Sequence, residues 1–132
     1  MISHVSIGIG AFGPAFAFYD ALLGELGWCR RFAEEASCCA AWQPADGERP
    51  LIFITRPFDG GSPAPGNGLM TALMASDRRT VDRCHALALA LGGRDEGEPG
   101  LRPHYHPDYY GAYFRDPDGN KLCVCCHAAE PG

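Results

Sequence analysis

Apolar and polar positions alternate from Ser3 to Ile9, setting Val5, Ile7 and Ile9 on one strand face and His4, Ser6 and Gly8 on the other. His4 therefore points away from the apolar stripe. Beyond Gly13 and Pro14, a residue suited to a first helical turn, the period lengthens: Ala15, Tyr19, Leu22 and Leu26 recur at helical spacing until Gly27 stops the run. Three short strands are predicted at Cys29–Glu35, Cys38–Gln43 and Leu51–Arg56, the last two parted by the turn-rich Pro44–Pro50. The second half begins the same way. Leu69–Ala75 reads as a strand and Arg78–Leu91 as a helix with Val81, Cys84, Ala88 and Leu91 on one face, stopped by Gly92-Gly93. A loop is expected from Gly93 to Pro107, followed by strands Tyr109–Arg115 and Lys121–His127. Their connection, Asp116-Pro117-Asp118-Gly119-Asn120, has proline at the second turn position and glycine where a left-handed residue is needed, the chemistry of a tight hairpin.

Composition narrows the classes. The chain has 132 residues, 46% hydrophobic and 20% charged, enough for one cored domain and too little charge for a disordered tail. Lys and Arg number 11 against 16 Asp and Glu, a net charge of −5 that argues against nucleic acid as partner. No apolar run reaches the roughly 18 to 20 residues of a membrane span, so no membrane association is expected. There are 7 cysteines: Cys29, Cys38, Cys39, Cys84, Cys123, Cys125 and Cys126. The odd count, two adjacent pairs and lack of a recognisable signal peptide point to free thiols in a reducing cytoplasm. Gly8, Gly10 and Gly13 lack the strand-to-helix spacing of a phosphate loop.

The opening His4-Val5, the helical Phe18-Tyr19-Asp20-Ala21-Leu22-Leu23-Gly24 and the closing hairpin Phe114–Leu122 resemble the vicinal oxygen chelate superfamily, the group of glyoxalases, bleomycin-resistance proteins and extradiol dioxygenases. The resemblance implies a single α+β domain, 1–132, of two βαβββ modules at about 1–58 and 67–127 whose mixed sheet curls into a cup. It also implies a homodimer. Metal-dependent members place one ligand on the first and one on the last strand of each module. The matching positions here are His4, Phe53, Met70 and Cys123, of which only His4 is a usual ligand. A divalent metal is therefore disfavoured, because one imidazole, one thioether and one thiol do not make the shell such an ion prefers. A soft copper site of His4, Met70 and Cys123 is the chemical alternative. No cofactor is assigned.

Other clusters carry weaker signals. Alternation puts Cys123, Cys125 and His127 on one face, but residues two apart on a strand stand about 6.5 to 7 Å apart, a poor spacing for one ion. Free buried thiols are expected instead. His104-Tyr105-His106-Pro107-Asp108-Tyr109-Tyr110 is the densest polar aromatic cluster and is suited to a binding loop, with His106 and Tyr109 ahead of Tyr105. Arg102 and Arg115 are available for an anion contact. In the helix, Cys84 and His85 diverge by about 100°, so a core cysteine and a surface histidine are expected. The chain is thus expected to act on or bind a small molecule in its cup. His4 is the candidate catalytic residue, and Phe53, Met70, His104, His106, Tyr109, Tyr113 and Cys123 are candidate substrate contacts. The alternative is a drug-type sequestering protein without chemistry, for which the acidic balance would suit a cationic ligand.

Overall fold

A computed structural model describes residues 1–130. The elements run β1 (His4–Gly8), α1 (Phe12–Glu25), β2 (Cys29–Glu34), β3 (Cys39–Gln43), β4 (Leu51–Thr55), β5 (Thr71–Met74), α2 (Arg78–Ala90), β6 (Arg94–Leu101), β7 (Tyr110–Arg115) and β8 (Lys121–Cys126). They form two four-stranded sheets of matching order, β1-β4-β3-β2 and β5-β8-β7-β6. In each sheet the first and last strands of the unit pair in parallel and the other neighbours pair antiparallel. This is the α+β architecture expected.

Alternation decides which side chains meet the helices. Ile7, Ile52, Ile54 and Trp42 from the first sheet and Leu73, Ala112, Phe114, Leu122 and Val124 from the second join one continuous core. Both helices press their apolar stripes into it, Phe18, Tyr19, Leu22 and Leu23 from α1 and Val81, Cys84 and Ala88 from α2. The α2 start is fixed by Asp77, whose carboxylate accepts from the Thr80 amide at 2.8 Å.

Four readings of the sequence need correction. The expected loop from Gly93 to Pro107 contains β6, an edge strand whose glycines and Pro99 mask its pattern and whose pairing with β7 is irregular at Gly97 and Gly100. His85 is buried rather than on the surface. With β6 in place beside α2, its Nε2 lies 2.8 Å from Asp95 and its ring meets Phe114 edge-on. Cys38 precedes its strand, in a turn with φ 53°, and its thiol lies 3.7 Å from the Gly10 carbonyl. Met70 and Tyr109 also fall just outside strands, because the amides of Leu69 and Tyr109 are taken by turn carbonyls of Gly66 and His106.

The hairpin turn between β7 and β8 fastens the two halves. Asp116 is 3% exposed, and its Oδ1 accepts from the amides of Asp118 and Asn120, both at 2.9 Å. Its Oδ2 accepts from the Asn120 side chain at 2.9 Å and from the Tyr19 phenol of α1 at 2.5 Å. Two further bonds cross the same joint: the Gly10 amide donates to Asp118, and Asn120 Nδ2 donates to the Gly8 carbonyl, each at 2.9 Å. Burial and the neighbouring Asp116 hold the Tyr19 phenol well above its usual range, so it remains a donor.

Tyr19→Phe should destabilise the chain by about 1.5 to 3 kcal/mol, the usual worth of a hydrogen bond to a charged group, and Asp116→Ala should cost more because it orphans several donors at once. Urea unfolding measures both. A Tyr19→Phe variant as stable as the parent would show that the joint does not depend on this bond.

Candidate functional site

On the side of the second sheet turned away from the helices, the β7–β8 register sets Tyr113 opposite Cys123 and Arg115 opposite Lys121, so these four residues share one face. Beside them lies a cleft of about 520 Å³ lined by Met70, Tyr105, Tyr109, Tyr113, Arg115 and Lys121, with Asn67 and Leu69 of the segment joining the two sheets. A second cleft of about 340 Å³ shares Met70, Leu69 and Lys121 and reaches Val5–Gly8 of β1. A third, of about 460 Å³, continues from Ser6 and Gly8 to Phe58 and Asp59. The joining segment lines all three, packing Pro63 near Gly8 and Pro65 near Gly119.

The cleft's phenols are linked. Tyr109 and Tyr113 share a hydrogen bond of 2.9 Å between their hydroxyls, and the Tyr109 hydroxyl lies 3.5 Å from Cys123 Sγ. Burial raises both phenols above their usual range and pushes the Cys123 thiol up to about 11. All three are protonated near neutral pH. Behind Tyr109 stands a chain of polar groups. The Asp108 amide donates to His106 Nδ1 at 3.2 Å, so a neutral His106 carries its proton on Nε2 and donates it to His127 Nδ1 at 2.9 Å. His127 then turns its Nε2 proton toward Cys125 Sγ at 3.6 Å.

The structure brings Met70, Tyr109 and Tyr113 together in one cleft and sets Cys123 against Tyr109. His106 supports the Tyr109 ring edge-on at 5.6 Å without lining the cleft, and exposed His104 lies against Tyr105 at 4.3 Å. His4 and Phe53 belong to the other sheet. Their rings stand 6.4 Å apart, Phe53 meets Phe32 at 5.7 Å, and His4 Nδ1 is 3.0 Å from the Ser3 hydroxyl. Lys121 was missed by sequence reading, although alternation back from Cys123 places it on the same face. Asn67 and Leu69 had no such signal, since they lie in the joining segment.

The positions expected to hold a metal do not supply a shell for a divalent ion. Phe53 has no donor atom, Met70 offers a thioether and is 39% exposed outside its strand, and the Cys123 thiol is hydrogen-bonded to Tyr109. Among the described residues, no three His, Cys, Asp or Glu side chains are grouped to hold a metal ion.

The family model for the Glyoxalase/Bleomycin resistance protein/Dioxygenase superfamily matches residues 1–124. The chain belongs to this superfamily. A glyoxalase/bleomycin resistance protein from Albidiferax ferrireducens T118 is 35% identical with a TM-score of 0.84, over 96% of this chain and 98% of that one. A glyoxalase-related enzyme from Fulvimarina pelagi shares the fold at 19% identity and a TM-score of 0.73, over 96% and 87% of the two chains. So does a lactoylglutathione lyase from Agrobacterium tumefaciens, at 20% identity and a TM-score of 0.63, over 96% and 92%. No curated protein matches the chain. As a glyoxalase/bleomycin-resistance scaffold, the molecule keeps the paired strands from which such proteins build a cup and fills its cleft with phenols and cations.

Brief treatment of the folded protein with iodoacetamide at pH 8 should label exposed Cys29 and spare Cys123, whose thiol is buried and protonated. Peptide mass spectrometry reads the sites. Labelling of Cys123 as fast as Cys29 would show that the thiol is open and ionised.

Proposed function

We propose that this superfamily member binds a small molecule in the Tyr109–Tyr113 cleft and that its metal site is degenerate. The observation that carries the reading is the convergence of Met70, Tyr109 and Tyr113 on one cleft of about 520 Å³, within the range of small-molecule pockets. Tyrosines give flat apolar faces and hydroxyls for orientation at little conformational cost. Protonated phenols with raised pKa are poor bases near neutrality, so Tyr109 and Tyr113 suit holding a ligand better than abstracting a proton. His4, the sequence's candidate catalytic group, has Ser3 as its hydrogen-bond partner and stands outside the cleft lining. Sequestration without chemistry is thus the better-supported form of the reading. The reading also takes the chain as a homodimer in a reducing cytoplasm. Exposed Leu69, Met74 and Leu101 favour a partner, and free cysteines favour that compartment.

A thermal-shift screen of aromatic compounds against the purified chain tests the proposal. At a ligand concentration 100 times its Kd, binding should add about 2.7 kcal/mol of stability. The shift should survive EDTA and be largely lost in Tyr113→Ala. A shift abolished by EDTA and restored by a divalent ion would overturn the metal-free reading.

A further inference from the structure

We infer that the ligand is an anion with a flat apolar body, an inference that rests on the Tyr109–Tyr113 cleft being the binding site. The net charge of −5 points the other way, but the charge around this cleft has the opposite sign. The lining contains Arg115 and Lys121 and no Asp or Glu. Arg102 adds a third cation. Its Cζ lies 5.6 Å from the Tyr113 ring centroid and Lys121 Nζ lies 5.8 Å from the same point, both within cation–π reach.

Only one of these cations is neutralised within the described residues. Arg115 pairs with Glu96 at 2.6 Å, and Glu96 is held below its usual carboxyl range by Arg115 first, with Lys121 and Arg94 adding to the effect. Lys121 and Arg102 form no ion pair. Arg102 is nonetheless held in place, donating through Nη2 to the Glu98 carbonyl at 2.8 Å. Three cations against one carboxylate leave a positive field over a phenol-lined surface, where an anionic group gains both attraction and hydrogen bonds.

Two glycines of β6 lie against this arrangement. A Cβ on Gly97 would stand 3.2 Å from Tyr113 Cδ2 and 3.4 Å from Arg102 Nη2, and one on Gly100 would stand 3.1 Å from Arg102 Nη1. A side chain at either position would press on the guanidinium, which would have to give by a few tenths of an ångström. The flat apolar body follows from Tyr105, Tyr109, Leu69 and Met70 on the remaining lining.

Isothermal titration of the full chain with three probes separates the outcomes: naphthalene-2-carboxylate, its neutral carboxamide and the corresponding amidinium. The carboxylate should bind about tenfold or more tightly than the carboxamide, a gap of about 1.4 kcal/mol, and should weaken as salt is raised. Lys121→Gln should close most of the gap between carboxylate and carboxamide, and Arg102→Gln should act in the same direction. Equal binding of carboxylate and carboxamide, or tighter binding of the amidinium, would overturn the anion inference and leave the cleft as a binding site. Failure of all three probes to bind would overturn both.

Discussion

Asp116 receives hydrogen bonds from both halves of the molecule, and few other groups could do so. Its oxygens accept from two amides of its own turn, from Asn120 and from Tyr19 on α1, almost wholly out of water. A buried carboxylate with fewer donors would be costly; with these four it fixes the relative placement of the elements that supply them. The aromatic packing repeats the constraint: Phe18 of α1 meets Phe114 of β7 edge-on at 6.2 Å, while Tyr19 packs against Trp42 of β3 at the same separation. The clefts depend on this joint, since one of them is walled by β1 on one side and by Asn120–Leu122 on the other. Loosening the Asp116 cluster would therefore change the shape of the site as well as the stability of the fold.

The parts of the fold that were legible are those where side-chain period and turn chemistry agree. The Asp116–Asn120 hairpin, both helices and the first-half strands follow from alternation, helical spacing and glycine stops. Long-range partners were not legible. Nothing local marks Tyr19 as the donor to Asp116 or Asn120 as the donor to Gly8, because those contacts exist only after the halves meet. The same limit hid the burial of His85, which depends on β6 lying beside α2.

For the site, Tyr113 and Cys123, both named from the sequence, stand opposite each other in the β7–β8 register, and Tyr109 of the dense aromatic segment lines the cleft. His106 and His104 were drawn from the same segment but serve as neighbours of Tyr109 and Tyr105. Chain composition and local charge point in opposite directions. A net charge is a sum over the whole surface, whereas a ligand responds to the few charges within about a Debye length, roughly 8 to 10 Å. Arg102, Arg115 and Lys121 decide the local sign, and they come together only through β6, β7 and β8.

What made β6 hard to read also leaves room for Arg102 beside Tyr113. Gly97, Pro99 and Gly100 break the alternation by which a strand is recognised, and the ladder to β7 is irregular where they sit. A regular strand with side chains at those positions would have been easier to identify and would have pressed on Arg102 and Tyr113. The local rule fails at the residues that lie against Arg102 and the Tyr113 ring. Edge position makes the exception tolerable. β6 has a partner on one side only, so lost side chains and a missing amide at Pro99 weaken one ladder and leave the sheet interior intact.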